Sequence, residues 1–286
     1  MSDNKLVYIK RVGTNDGESR IMAMLNASPL DGDPRNHTVP ILDTFQDDED
    51  SSISYIVMPF LRLTHNPPFT NVGEIVDFAD QFLEGLAFMH EHCVAHRDCS
   101  EKNLMMDATA MYPLGFHPVK HTFLPDCNTP ARSSIIPRSV AGVRYYFVDF
   151  GISSFIPPDA PSKLVLGLDG RDQDVPELSD EDPYDPFKVD IFTIGNVFRR
   201  LFYDDFSNME FLAPLIESMT REDPAQRPTA AEALRQWTAI RKRISIFSLL
   251  WRLKRRNEGR IASVVADAKD LPHVSRQWLN WLIGRR

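Results

Sequence analysis

The segment from Val72 to His92 constrains the fold more than any other. Ile75, Phe78, Ala79, Phe82, Leu86 and Met89 fall three or four residues apart, so a helix here carries one continuous apolar stripe. Asn71, with Glu74 three residues later, has the form of a capping box and marks its start. A helix this long and this apolar on one face must be buried against other elements. Strands precede it. Leu6–Val12 is β-branched and aromatic and is closed by Gly13; Val39–Phe45 and Ile53–Leu61 read the same way, with acidic Asp47–Asp50 as a solvated hairpin loop between them. A short helix capped by Asn15 or Asp16 follows the first strand and carries Glu18, Ile21, Met22 and Leu25 on one face. Beyond the long helix come short strands at Leu104–Met106 and Tyr145–Val148, then helices over 191–203, 208–220 and 230–243, the last opened by a Thr229/Glu232 capping box. The stretch 108–144, with five prolines, predicts a long inserted loop, and 152–189 reads as loop. Strands first and mainly helices after predict an α+β fold with a small β-rich part and a larger, mainly α-helical part.

Composition narrows the function classes. The 286 residues are 43% hydrophobic, and no apolar run approaches the roughly 20 residues of a membrane span. The first residues lack the apolar region of a secretory signal, and three cysteines (Cys93, Cys99, Cys127) are too few for a disulfide framework or a zinc ribbon. A reducing compartment, cytoplasmic or nuclear, is the expectation. The net charge of −8 is unevenly spread. Residues 235–286 hold 13 Lys and Arg against 3 Asp and Glu, while the rest of the chain is strongly acidic. An acidic body argues against nucleic-acid binding. The basic tail suits an anionic surface or lies on the acidic body. Its Arg241–Arg256 stretch reads either as a helix for a membrane surface or partner, or as a tail packing Phe247, Leu250 and Trp251 on the helical part; Trp278, Leu279, Trp281 and Leu282 invite the same two readings.

The residues that carry chemistry fall in a fixed order. Asp98 lies five residues before Asn103, just past the long helix, where a carboxylate can accept a hydrogen bond from a substrate hydroxyl. The Asn103 amide oxygen and the Asp149 carboxylate are hard oxygen ligands suited to Mg²⁺ on nucleotide phosphates. Taken alone, each is a common loop residue. The ordered set Val7-Tyr8-Ile9-Lys10, Glu18, His96-Arg97-Asp98-Cys99-Ser100-Glu101-Lys102-Asn103, Asp149-Phe150-Gly151, Val175-Pro176-Glu177, Asp190 with Gly195, and Arg227-Pro228-Thr229 resembles a eukaryotic protein kinase domain, in particular the kinase-like proteins of mushroom-forming fungi. The resemblance spans about residues 5–240.

That resemblance implies a two-lobed fold: a truncated small lobe over 1–61, a large lobe over 62–240 with 108–144 inserted, and a basic tail over 241–286. It implies ATP and Mg²⁺ as cofactors and a protein hydroxyl as acceptor, or a protein partner. Lys10 would contact the α and β phosphates with Glu18 as its partner, Met58 would be the gatekeeper, and in the hinge Pro59-Phe60-Leu61 the Pro59 carbonyl and the Leu61 amide would read an adenine edge. Asp98 would orient the hydroxyl, Asn103 and Asp149 would hold Mg²⁺, and Lys102 would neutralise the transferred group. Glu177 and Arg227 would form a buried structural pair, and Asp190 would hold the His96-Arg97-Asp98 turn. The chain departs from the pattern in several places, among them a Lys10-to-Glu18 gap of only eight residues and the long span from Asn103 to Asp149 that holds the insert. The residues ahead of Lys10 hold no Gly-rich phosphate loop, and Ser100 stands where serine/threonine kinases carry lysine. The missing Gly-rich loop implies weak nucleotide binding and slow transfer, or a pseudokinase that binds without catalysis. A small-molecule kinase with an Asp-xxxx-Asn loop is a further alternative, opposed by His96-Arg97-Asp98 and Val175-Pro176-Glu177. Ser/Thr and Tyr specificity stay equally open.

Overall fold

The computed structural model describes residues 5–131 and 135–270. β1 (Val7–Gly13) turns through Asn15 at φ 61° into α1 (Gly17–Leu25), which Asp16 caps by accepting from the Ser19 amide at 2.8 Å. β2 (Asp43–Gln46) and β3 (Ile53–Pro59) complete an antiparallel sheet of order β1-β3-β2, with Lys10 opposite Ile56 and Phe45 opposite Tyr55. The second strand begins four residues later than the sequence predicts. Val39 is buried, and its amide donates to the Phe147 carbonyl, so it is recruited away from β3.

β4 (Arg62–Leu63) precedes the long helix α2 (Val72–Glu91), which is followed by β5 (Val94–Ala95) and β6 (Leu104–Asp107). Asn71 accepts from the Glu74 amide, but the Glu74 carboxylate turns to the Thr70 amide and hydroxyl at 2.7 and 3.0 Å, so half of the capping box forms. α3 (Arg138–Ala141) and β7 (Arg144–Phe147) follow, and β4, β6 and β7 form a second antiparallel sheet under α2. Phe78 of α2 lies at the centre of the core, its ring edge-to-face with Phe69, Phe82, Tyr145, Phe198 and Phe202 at centroid distances of 4.6–6.3 Å.

Apart from α3 and a 3₁₀ turn, Thr109–Met111, the described residues of the 108–144 stretch are irregular yet fastened to this body. Met111, Tyr112, Phe116 and Ala131 are buried, and Arg138, 3% exposed, donates to the carbonyls of Thr64 and Pro67 and stacks on Phe69. Apolar residues that anchor an irregular chain singly leave no period in the sequence.

β8 (Ser154–Phe155) pairs with β5, and β9 (Val165–Gly167) pairs with β10 (Ser179–Tyr184), inside the segment that reads as loop. α4 (Pro186–Phe198) starts five residues earlier than expected, with Asp185 as cap and proline in its first turn, and passes into a π turn over Arg199–Tyr203. The helix expected over 208–220 is a 3₁₀ turn, Glu210–Leu212, and then α5 (Ala213–Met219). α6 (Ala230–Arg241) has both halves of its capping box, and α7 (Ile246–Leu250) packs beside α2.

The tail is sewn to the body by its backbone, Trp251 accepting from Val72 and Leu253 donating to Thr70. Its buried residue is Leu253. Phe247, expected to pack, is 59% exposed, because α7 turns Leu249 inward instead. Arg252 and Lys254 pair with Asp267, and Arg256 pairs with Glu210 of the body. Trp278, Leu279, Trp281 and Leu282 lie outside the described residues. Among the described residues no helix is long and apolar enough to cross a membrane.

Candidate active site

The ladder of β1 against β3 sets Lys10 where its ammonium reaches two carboxylates. It donates to Glu18 Oε1 at 2.6 Å and to Asp149 Oδ1 at 2.8 Å. Glu18, nearly buried on the inner face of α1, also accepts from the Phe150 amide at 3.1 Å. One helix glutamate thus ties the lysine strand to the turn that follows β7. Burial alone would lower the Lys10 pKa, but the hydrogen bonds to Asp149 and Glu18 outweigh it and hold the ammonium above its ordinary value. At Asp149 burial alone would raise the carboxyl, and the hydrogen bond and charge of Lys10 reverse this, leaving it below the usual carboxylate range.

Asp98 is fixed by its own loop. Asn103 Nδ2 donates to the Asp98 carbonyl at 3.0 Å and to Asp98 Oδ2 at 2.8 Å, which turns the amide oxygen of Asn103 to the other side. Asp190, fully buried in α4, accepts from the amides of His96 and Arg97 at 2.7 and 2.6 Å. Those bonds hold Arg97 at φ 68°, while Asp149 sits at φ 66°. Non-glycine residues in this region cost on the order of 1–3 kcal/mol each and persist only where the surroundings over-determine them. His96 is buried, and its Nε2 contacts the Val148 carbonyl at 3.0 Å while its Nδ1 accepts from the Asp98 amide. Nε2 therefore carries the ring proton, and burial, the main cause, holds the imidazole neutral with a lowered pKa.

A cavity of about 380 Å³ opens between these elements, lined by Tyr8, Lys10, Val39, Met58, Pro59, Phe60, Leu61, Arg62, Leu63, Asn103, Met105, His121, Val148 and Asp149. The structure thus gathers Lys10, Met58, Leu61, Asn103 and Asp149 on one wall set. Glu18 stands behind Lys10 and Asp98 behind Asn103. Lys102 behaves differently: it is exposed in the 3₁₀ turn Glu101–Asn103 and is not among the lining residues, because that turn directs Asn103 inward. Among the described residues no three His, Cys, Asp or Glu side chains are grouped to hold a metal. One carboxylate and one amide oxygen still fit Mg²⁺, which keeps several waters and takes phosphate oxygens rather than a protein-only cage.

Three contributors carry no motif. Arg62, 1% exposed, stacks 4.7 Å from the rings of both Tyr112 and Phe116 and donates to Asn66 and to the His121 carbonyl. His121 brings the inserted stretch to the cavity wall. Arg171 donates its amide to Asp98 Oδ1 at 3.0 Å and holds its guanidinium Nε 3.7 Å from Asp98 Oδ2. The one sequence signal near it is the pair Gly167 and Gly170, and both adopt positive φ. Farther off, Arg227, fully buried, forms a two-pronged pair with Glu177, Nη2 to Oε2 at 2.8 Å, and also donates to the carbonyls of Lys188, Arg221 and Glu222.

No protein-family model matches this chain, and no curated protein matches it.

Proposed function

We propose that the chain is an ATP- and Mg²⁺-dependent phosphotransferase of two-lobed, protein kinase-like architecture, acting on protein hydroxyls. The observation that carries the reading is the meeting, at one cavity, of a lysine held by two carboxylates with Asn103 from a separate loop, whose amide in turn fixes the Asp98 carboxylate behind it. The apolar walls Val39, Met58, Leu61 and Met105 suit a purine, and the polar end at Lys10, Asn103 and Asp149 suits its phosphates.

In this reading Lys10 exchanges one carboxylate contact for the α and β phosphates, and Glu18 keeps the ammonium in place. Asp98 accepts the hydrogen of the incoming hydroxyl as its oxygen bonds to the γ-phosphorus and the bond to the departing ADP oxygen breaks. Asn103 and Asp149 would hold Mg²⁺, which supplies positive charge against the phosphates when bound. Most of the rate then comes from positioning and from fixed charges. Fixed hydrogen bonds support this role: Asp190 holds the turn that bears Asp98, and Asn103 holds its carboxylate.

A binding domain with little transfer is the second reading, and one observation favours it. β1 is the edge of its sheet, with Val7, Tyr8 and Ile9 each more than 40% exposed, so among the described residues no strand covers the Lys10 side of the cavity. An open site admits water and weakens every charge interaction in it. Incubation with radiolabelled ATP–Mg²⁺ and mixed protein acceptors separates the two. Phosphotransfer by the parent that Asp98→Asn abolishes supports the first. Nucleotide binding with transfer equal in the parent and in Asp98→Asn leaves the second.

A further inference from the structure

We infer that Arg171, not Lys102, supplies the positive charge that meets the transferred phosphoryl group; this deepens the phosphotransferase reading and rests on it. Among the described residues no cation of Asp98's own loop pairs with its carboxylate. Position 100 is a serine, buried, whose hydroxyl has no hydrogen-bond partner among the described residues. Lys102 is exposed and, among the described residues, makes no ion pair with Asp98. The charge at Asp98 arrives instead from far along the chain, with the Arg171 guanidinium Nε 3.7 Å from Oδ2 and 60% of the side chain exposed.

The placement of Arg171 is built rather than incidental. Its neighbour Asp172 is buried and accepts from Asn196 Nδ2 at 2.7 Å and Arg200 Nη2 at 2.9 Å, which roots the segment in α4 and the turn after it. On the other side Gly170, at φ 116°, lets the backbone pass so close to Asp98's loop that an added Cβ would stand 3.1 Å from the Arg97 carbonyl oxygen. Gln173 closes the turn by donating to the carbonyls of Leu168 and Gly170. The Arg171 amide then donates to Asp98 Oδ1. A carboxylate has about four acceptor positions, so Asp98 keeps room for a substrate hydroxyl beside this amide and Asn103. The result is an anchored backbone bearing an exposed guanidinium beside Asp98, whose planar fork suits phosphate oxygens.

The test compares the parent with Arg171→Gln, Arg171→Lys and Lys102→Gln, measuring affinity for ATP–Mg²⁺ and for ADP–Mg²⁺ by calorimetry, and turnover with a protein acceptor. Arg171→Gln is expected to bind ADP as the parent does, to bind ATP about tenfold more weakly, and to lose about 10²-fold in turnover, the scale of one lost transition-state donor. Arg171→Lys recovers part of both, and Lys102→Gln changes neither. A purely structural Arg171 would move ATP and ADP affinity together. That result, unchanged ATP preference in Arg171→Gln, or a loss that follows Lys102→Gln instead, overturns the inference while leaving the phosphotransferase reading intact. A parent that binds ATP but transfers no phosphate ends the transferase reading alone, and the ATP-to-ADP preference of Arg171→Gln still decides for or against Arg171. A parent that binds neither nucleotide ends both.

Discussion

The sheet β1-β3-β2 and the body around α2 are built from the same residue types and used in opposite ways. In the body, Phe78, Phe82, Leu83, Leu86, Phe147 and Phe198 are fully buried, and charges inside it are paired, as Arg227 is with Glu177. In the sheet, Val7, Tyr8, Ile9 and Phe45 stay 43–55% exposed, and the one buried flank of β1 holds Val12. Burial is worth about 25 cal/mol per Å² of apolar surface, so the body carries the stability and the sheet adds little. The candidate site lies where the two meet, with Lys10 from the weak region and Asp98, Asn103 and Asp149 from the strong one. A site divided in this way can be fixed on one side and open on the other.

If this contrast is right, substitutions in the body should cost far more than substitutions in the sheet. The largest loss is expected from Arg227→Ala, which leaves Glu177 and three backbone carbonyls without their donor. Breaking one side of a buried pair costs about 3–5 kcal/mol. Arg235→Ala, on the exposed face of α6, should stay within about 0.5 kcal/mol in urea unfolding. Equal midpoints for the two variants would count against a body held by buried pairs.

Acid should act on the body next. His37 is buried against the Tyr145 carbonyl, and burial, the main cause, lowers its pKa from 6.5 to about 4. The folded state therefore resists a proton that the unfolded chain accepts. The stability His37 confers is fully present above pH 6.5 and is lost as pH falls toward 4, by about 3 kcal/mol in all. Unfolding measured at several pH values across that window should show this slope in the parent and a flatter one in His37→Gln. Parallel curves would remove His37 as the cause. Gly85→Ala should follow at about 1–3 kcal/mol, since the new Cβ would stand 2.6 Å from His37 Cβ and 3.0 Å from the Phe147 ring. A melting temperature unchanged from the parent would mean that α2 and His37 do not press together. The smallest effect is expected from Ile9→Thr in the sheet, exposed and still β-branched, at under about 0.5 kcal/mol. A loss above about 2 kcal/mol there, by the same assay, would make the sheet a load-carrying part of the fold.

The same division governs what was legible in the sequence. The α2 stripe, the first and third strands and the α6 capping box announce themselves through period and spacing, because each element's burial is repeated along it. Lys10, Glu18, Asp98, Asn103 and Asp149 could be singled out because they stand in a recognisable order along the chain. Arg62, His121 and Arg171 could not. Each reaches the site from a segment or turn whose place depends on tertiary contacts, such as the stacking of Arg62 on Tyr112 and Phe116 or the anchoring of Asp172 on α4. Lys102, next to Asn103 in sequence, is exposed in a 3₁₀ turn where neighbouring side chains point about 120° apart, and it is not among the residues lining the cavity.

Calorimetric titration of ATP–Mg²⁺ into the parent, Asp149→Ala and the distant control Arg235→Ala addresses the central claim most directly. Asp149 touches Lys10 and lines the cavity, yet it is half-exposed, so its removal should leave the fold standing. The expected result is measurable binding by the parent and by Arg235→Ala, and at least tenfold weaker binding by Asp149→Ala, the loss of about 1.4 kcal/mol of charge interaction. Equal affinity of Asp149→Ala and the parent would contradict a nucleotide site at this cavity.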